Sequence, residues 1–160
     1  MRKILLLLLV FMVFVVMMAS AKANEFECLV EAIYHEARGE EFIGMLAVAN
    51  VVLTRKESSK YPNTICGVVH QAKTYKGKII RNRCQFSYYC DGKREEFKDV
   101  ASALLAMDVA EMSLMGIQLK QTVGCTHYHA SHVTPRWASD PHFKAMGQIG
   151  AHVFYIDMTP

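Results

Sequence analysis

The chain has 160 residues, of which 52% are apolar and 21% charged, with 18 Lys and Arg against 15 Asp and Glu and a formal charge of +3. This length accommodates one domain with a hydrophobic core and argues against two. The apolar composition and the small net charge exclude a disordered or fibrous protein.

Residues 1–23 have the pattern of a secretory signal peptide. The basic start Met1-Arg2-Lys3 precedes an apolar run of 15 residues from Ile4 to Met18, and Ala21-Lys22-Ala23 places small residues at a cleavage spacing before Asn24. The alternative is an uncleaved membrane anchor, but a membrane span needs about 20 residues. The pattern therefore favours export and cleavage.

Cleavage before Asn24 would remove three basic residues and no acidic residue, which leaves 15 basic and 15 acidic side chains. A neutral chain argues against nucleic acid binding, because phosphate recognition requires an excess of Lys and Arg. The stretch from Arg55 to Arg83 is nevertheless locally basic. We expect residues 24–160 to form one exported domain, a monomer with neither a nucleic acid partner nor, after cleavage, a membrane partner.

Export would place the cysteines in an oxidising compartment, where disulfides form. There are five of them: Cys28, Cys66, Cys84, Cys90 and Cys125. Because five is odd, at least one is free or pairs between chains, and the connectivity is open. Cys84 and Cys90 flank a short apolar run and can close a hairpin if their Cβ atoms come within about 4 Å. No C-x-x-C motif occurs, which argues against a zinc thiolate site.

The first helix is predicted to begin after Asn24, whose spacing to Glu27 is typical of a capping box. Apolar residues then recur at intervals of three and four, at Phe26, Leu29, Val30, Ile33 and Ala37. Gly39 ends this amphipathic pattern. Since Glu36 follows Ile33 by three positions, its side chain belongs on or beside the buried face, near the end of the helix.

Three further helices are predicted. The apolar pattern favours one from Phe42 to about Lys56, a short one from Thr64 to Gln71, and a long one from Glu95 to Met115. The methionines of the long helix are typical of core packing. Its predicted apolar side consists of Phe97, Ala101, Leu104, Leu105, Val109, Met112 and Met115.

The rest of the chain is predicted to form loops and short strands. Lys73 to Arg83 is predicted to be a loop, whereas aromatic residues favour a strand from Gln85 to Tyr89, ended by the Asp91-Gly92 turn signal. Aromatic, His and small residues alternate from Thr126 to His132, and the apolar run from Ile149 to Ile156 is predicted to be a closing strand. Together these elements predict a single, mainly helical α+β domain.

Glu36 is the first catalytic candidate. A carboxylate on the apolar side of a helix loses hydration, which raises its pKa, and the negative end of the helix acts in the same direction. A carboxyl group that stays protonated near neutral pH is suited to general acid catalysis. The alternative is a Glu that is exposed or paired with His35 or Arg38.

Histidines are the second candidates. His127, His129 and His132 lie close together, and on a strand the first two would share a face, as two metal ligands could. His35-Glu36 begins like the H-E-x-x-H zinc motif, but Gly39 stands at its last position. Because His127 and His129 could still bind a metal, an exported zinc hydrolase is an alternative function.

Other chemistry has less support in the sequence. No G-x-S-x-G motif occurs, and the Cys125 thiol is poorly suited to catalysis in an oxidising compartment. Several aromatic residues could stack on sugar rings in a cleft or simply build a core. They are Tyr34, Phe86, Tyr88, Tyr89, Tyr128, Trp137 and Tyr155.

At residues 32–40, AIYHEARGE, the sequence resembles the SleB-type cell wall hydrolase family, which includes the spore cortex-lytic enzymes. Further family-like blocks follow in order and cover nearly the whole chain after residue 23. They are AVANVVL at 47–53, YPNTICGVV at 61–69, CQFS at 84–87, CDG at 90–92, THYHA at 126–130, PRW at 135–137 and IGAHVFY at 149–155.

The resemblance implies a lysozyme-like domain that cleaves peptidoglycan glycan strands as a lytic transglycosylase. Because the sequence has no metal motif, we expect no metal and no cofactor. Its single catalytic carboxylate falls on Glu36, which would protonate the oxygen between N-acetylmuramic acid and N-acetylglucosamine. A glycosidase with two carboxylates would add an Asp such as Asp91, which we place in a turn instead. The alternatives are a zinc-dependent peptidoglycan amidase or peptidase, and a wall-binding protein without activity.

The resemblance also implies substrate contacts and a location. Gln85, Phe86 and Ser87 would form a strand facing the cleft, and Tyr128, His129 and Trp137 would form the opposite wall. The protein would act in the periplasm or the extracellular cell wall. Departures from the family pattern, such as Thr54 where an Asn is expected, concern specificity more than the reaction.

Overall fold

The computed structural model describes residues 2–160, except for the side chains of residues 2–6, 8 and 18–23. The predicted cleavage site at Ala21-Lys22-Ala23 therefore lies outside the described side chains. Helices span Arg2–Ala37 (α1), Phe42–Glu57 (α2), Ile65–Val69 (α3) and Val100–Leu114 (α4). Strands span Ala72–Tyr75 (β1), Lys78–Cys84 (β2), His127–Ala130 (β3), Phe143–Ile149 (β4) and His152–Asp157 (β5).

Helix α1 is longer than predicted. The proposed cap at Asn24 is wrong, because the helix runs through this residue from Arg2. The preceding Ala and Lys residues are strong helix formers and nothing among them interrupts the helix. The C-terminal end agrees with the prediction, since Gly39 follows the helix with φ of 89°. Among the residues that the structure describes, no helix combines the length and apolarity that crossing a membrane requires.

Helices α2 and α3 confirm the predicted elements, and Thr64 caps α3 by accepting a hydrogen bond from the Gly67 N–H at 3.0 Å. Helix α4 begins five residues later than predicted, where Asp99 accepts a bond from the Ser102 N–H. Its buried residues are Ala106, Val109, Ala110 and Ser113. The predicted apolar side is therefore largely wrong, as Leu104 and Met115 are 58% and 74% exposed.

The predicted loop at Lys73 to Arg83 is also wrong, because β1 and β2 pair there as an antiparallel hairpin. Lys76 and Gly77 turn the chain with φ of 49° and 75°. The predicted strand from Gln85 to Tyr89 is wrong as well, since residues 87–90 form a 3₁₀ helix. A disulfide joins Cys84 to Cys90, one of the pairings that the sequence left open, and closes this turn on the hairpin.

The C-terminal strands form an antiparallel sheet of order β3-β5-β4. The predicted closing strand divides into the end of β4, a turn at Gly150 and Ala151, and β5. One face of this sheet packs on α2, where Phe154 and Cys125 meet Ala47 and Val51. The main core lies between α1, α2, α3 and α4, and the disulfide Cys28–Cys66 ties α1 to α3.

Candidate active site

Glu36 lies in the last turn of α1, between residues that are fully buried. Ile33 and Ala37 beside it are 0% and 1% exposed. The Tyr128 hydroxyl, on β3, donates a hydrogen bond to Glu36 Oε2 at 3.0 Å. The helix periodicity therefore placed this carboxyl correctly, on the buried side of the helix and facing the sheet.

Burial raises the pKa of the Glu36 carboxyl, and it outweighs two effects that act in the other direction. The hydrogen bond from Tyr128 and the positive charge of Arg55 both lower this pKa, because they stabilise the carboxylate. The net result is a carboxyl group that keeps its proton at higher pH than an exposed glutamate. Such a group can donate a proton to a leaving oxygen and take one back.

Arg55 supplies the positive charge near this carboxyl, although only 4% of the residue is exposed. Its Nε donates to the Thr126 carbonyl at 2.7 Å, and its guanidinium lies between the rings of Tyr61 and Phe86, 5.5 and 5.4 Å from their centroids. These contacts fix the cation within the core. Sequence reasoning missed Arg55, although a charged residue three positions after Val52 on an apolar helix was an available signal.

Of the predicted substrate residues 85–87, Gln85 and Phe86 contact Arg55, and the three side chains differ in their environment. With its oxygen toward the guanidinium, the Gln85 amide accepts hydrogen bonds from Arg55 Nη1 and Nη2 at 3.2 Å. Phe86 is 2% exposed and packs under the cation, whereas Ser87 is exposed. Of the three, Gln85 and Ser87 are accessible to a ligand.

Tyr88 closes the site on the side of the 3₁₀ helix. Its ring stacks on His35 with centroids 4.5 Å apart, and its hydroxyl is buried without a hydrogen-bond partner among the described residues. Burial raises the pKa of Tyr88, and the nearby charges of Glu31 and Glu36 act in the same direction. The hydroxyl therefore stays protonated and is a donor available close to the Glu36 carboxyl.

Tyr128, His129 and Trp137 were predicted to form one wall, but the structure does not bring them to one surface. Successive residues of a strand point to opposite faces of the sheet. Tyr128 faces Glu36, whereas His129 lies 5.6 Å from Trp137 between ring centroids and hydrogen-bonds to the Tyr155 hydroxyl at 2.9 Å. The second and third predicted residues thus belong to an aromatic cluster on the outer face.

His127 and His129 share this outer face, as their spacing predicted. His127 lies 5.4 Å from Trp137 between ring centroids, and its Nδ1 hydrogen-bonds to Thr126 Oγ1 at 3.0 Å. His132 is exposed in the turn after β3. Among the side chains described, no group of three or more His, Cys, Asp or Glu residues is arranged as a metal site.

Two other acidic residues have roles that differ from that of Glu36. Asp91 ends the 3₁₀ helix, as its turn signal predicted, and its carboxylate accepts from the Lys93 N–H at 2.8 Å. Glu40 accepts a hydrogen bond from the Ala151 N–H at 3.0 Å and so holds the turn between β4 and β5. His152, next to this turn, packs edge-on against the Tyr128 ring at 5.1 Å and helps to position it.

The chain is similar to curated proteins named spore cortex-lytic enzyme. It is 38% identical to that of Bacillus cereus over 52 residues, which cover 32% of this chain and 20% of that protein. It is 42% identical to that of Bacillus subtilis over 48 residues, which cover 30% of this chain and 16% of that protein. The matched segment thus spans a fifth or less of these relatives' length.

Two solved structures have a similar fold. The catalytic domain of the Bacillus cereus SleB protein superposes with a TM-score of 0.57 at 24% identity, over 83% of this chain and 90% of that one. The catalytic domain of the germination-specific lytic transglycosylase SleB from Bacillus anthracis gives 0.58 at 24% identity, over 82% and 93%. These matches confirm the predicted lysozyme-like α+β fold.

The profile of the Cell Wall Hydrolase family matches residues 39–155. The match begins just after Glu36 and includes Arg55, Gln85 and Tyr128. It confirms the resemblance seen in the sequence blocks. The chain belongs to the Cell Wall Hydrolase family.

Proposed function

We propose that the protein cleaves peptidoglycan glycan strands between N-acetylmuramic acid and N-acetylglucosamine by a lytic transglycosylase mechanism, with Glu36 as general acid and base. The observation that carries this proposal is the Glu36 carboxyl itself, half-buried at the end of α1 with a raised pKa and a hydrogen bond from the Tyr128 hydroxyl. The names of the related spore cortex-lytic enzymes and of the lytic transglycosylase SleB support the same reaction.

In the first step, protonated Glu36 donates its proton to the glycosidic oxygen, and the bond from this oxygen to C1 of the muramic acid breaks. Positive charge then develops at C1 while Glu36 becomes a carboxylate. The Tyr128 hydroxyl and the Arg55 cation stabilise this carboxylate, as their effects on its pKa indicate. The site is therefore suited to both protonation states that the reaction requires.

In the second step, the carboxylate takes the proton of the muramic acid 6-hydroxyl as this oxygen attacks C1. The product is a 1,6-anhydro end, and Glu36 is protonated again. One carboxyl group serves both steps, so this route needs no second acid. Gln85, which contacts Arg55, and Ser87 are both exposed, and we propose that they contact the glycan.

We also propose that residues 1–23 direct export, so that residues 24–160 act as a monomeric domain in the periplasm or the extracellular wall. The described side chains between residues 7 and 17 are apolar and exposed. The two disulfides, Cys28–Cys66 and Cys84–Cys90, are bonds of an oxidising compartment. Both observations agree with an exported protein.

Mass spectrometry of the products from purified sacculi tests the reaction. We expect soluble fragments that end in 1,6-anhydro-N-acetylmuramic acid. Fragments with reducing muramic acid ends would instead indicate hydrolysis and contradict the transglycosylase mechanism. Release of peptides without sugars would indicate an amidase or peptidase, and binding without any release would indicate a wall-binding protein.

A further inference from the structure

The hairpin of β1 and β2 has an unusual charge. Its residues 72–84 include five basic side chains and no acidic one: Lys73, Lys76, Lys78, Arg81 and Arg83. Every residue from 73 to 83 is exposed. Residues 24–160 are neutral overall, yet they concentrate positive charge on this hairpin. Because residues 73–83 are exposed, packing of a hydrophobic core does not account for the hairpin.

Two of these side chains lie at the base of the hairpin. Lys73 and Arg83 line a hollow of about 380 Å³ together with Gln71, Asn82 and Gln85. Among the residues that the structure describes, no carboxylate forms an ion pair with either of them. The hollow is therefore open, polar and positively charged, as a site for an anionic group would be.

The hollow shares one residue with the candidate active site. Gln85 lines it and also accepts the hydrogen bonds from Arg55, whose charge lowers the pKa of Glu36. Gln85 therefore connects the two, and a glycan bound at Glu36 that extended along Gln85 would bring its substituents toward Lys73 and Arg83.

The base of the hairpin is held in place by several contacts. The disulfide Cys84–Cys90 joins β2 to the 3₁₀ helix, and the Gln85 N–H donates to the Gln71 carbonyl at 2.8 Å. Arg81 donates from Nε and Nη2 to the Asp91 carbonyl at 2.9 and 2.7 Å. Arg81 is thus structural, while Lys73 and Arg83 are available to a ligand.

We propose that the hollow between Lys73 and Arg83 is a subsite for the carboxylates of peptide stems carried by the glycan strand. This proposal rests on the proposed function, because it takes the ligand to be the strand bound at Glu36. A peptide stem is attached to muramic acid, the sugar on one side of the bond to be cleaved, and its carboxylates give the strand its negative charge. The subsite would favour strands with stems over strands whose muramic acid has lost them.

Binding of defined glycan fragments tests the subsite. The full chain carrying Glu36→Gln is titrated with tetrasaccharides that bear stems with free carboxylates, the same stems with amidated carboxylates, or no stems. Addition of Lys73→Gln and Arg83→Gln should weaken binding of the first fragment by about fivefold, the effect of two exposed charged contacts, and leave the other two unchanged. Lys120→Gln with Lys144→Gln removes two exposed charges elsewhere and should change none of the three.

The outcomes distinguish a failure of the subsite from a failure of the proposed function. Equal weakening for all three fragments, or no weakening for any, would overturn the subsite alone. Competition by polyglycerol phosphate that depends on Lys73 and Arg83, without any effect of stem amidation, would also overturn it and assign the hairpin to an anionic polymer. Failure of all fragments to bind, together with no glycan release by the unmodified chain, would contradict the proposed function and the subsite together.

Discussion

The two faces of the β3-β5-β4 sheet carry similar residues but differ in what these residues contact. On the inner face, Tyr128 meets a carboxyl group at the end of α1. On the outer face, His127 and His129 meet Trp137 and Tyr155. Residues adjacent in sequence therefore belong to different surfaces, because a strand alternates its side chains.

The inner face surrounds the candidate catalytic carboxyl, whereas the outer face packs aromatic rings. The inner face combines burial with one hydroxyl and one cation, and so adjusts the pKa of Glu36. The outer face groups rings at centroid distances near 5 Å, such as Trp137 to Tyr155 at 5.2 Å, which stabilise the fold. A variant on the inner face should alter the reaction, and a variant on the outer face should alter stability.

Glu36→Gln should have the largest effect, a loss of glycan release of about 10²–10⁴-fold, because the amide cannot donate the proton. The folded state should not be weakened at neutral pH. A raised pKa means that the folded state favours the protonated carboxyl, so this contribution to stability is present in acid and is lost as pH rises through that pKa.

Glu27→Gln is the matched control for this variant, since Glu27 is exposed on the same helix. Its activity should equal that of the unmodified chain. Release of fragments from sacculi and thermal melts at neutral and acidic pH give both quantities. Retained activity in Glu36→Gln would break the distinction between the two faces, because the inner face would then hold no essential acid.

Trp137→Ala should act on stability. The side chain is half-buried among four rings. Its removal should lower the free energy of unfolding by about 2–3 kcal/mol, which is less than the loss expected for a fully buried aromatic residue. KM for sacculi should stay unchanged. Tyr75→Ala, at a residue that is 67% exposed, should change the free energy of unfolding by less than about 0.5 kcal/mol.

Urea unfolding and steady-state kinetics measure these two properties of Trp137→Ala. A higher KM with unchanged stability would contradict a packing role. It would place Trp137 in the substrate cleft, as the sequence resemblance implied.

Tyr128→Phe should lower the maximal rate less than Glu36→Gln does, by about tenfold, because one hydrogen bond is lost. It should also alter the pH profile. The hydroxyl lowers the pKa of Glu36, so its removal should raise that pKa and move the alkaline limb of activity to higher pH. Tyr89→Phe, a half-buried residue that stacks on His70, is the control and should leave the limb in place. A limb that moves to lower pH would contradict this contact.

The sequence predicted the position of Glu36 because local periodicity decides which side of a helix is buried. Arg55 was missed because its partners are distant in the sequence. Thr126 lies 71 residues later, and Gln85 follows strand β2. No local pattern indicates such contacts. Tyr128 on the inner face of β3 and His129 on its outer face were wrongly predicted to form one wall. The prediction assigned their types to one cleft without applying the alternation of the strand.

The hairpin and α4 were mispredicted for other physical reasons. Residues 73–83 are exposed on both faces of the hairpin, so the apolar alternation that indicates a strand is absent there. In α4 the small residues Ala106 and Ala110 are fully buried, whereas Leu104 is exposed. Small side chains let neighbouring helices approach closely. A pattern based on large apolar residues therefore predicts the wrong buried side of α4.

Measuring the pKa of Glu36 in the folded protein tests the proposed catalytic role of this residue most directly. It can be measured by following the side-chain carboxyl carbon of Glu36 by NMR across a pH titration, with Glu36→Gln to assign the signal. We expect a midpoint above the ordinary glutamate value of 4.5, because burial outweighs the contacts with Tyr128 and Arg55. A midpoint at or below 4.5 would contradict this role, since the carboxyl would then be ionised before it could act as the acid.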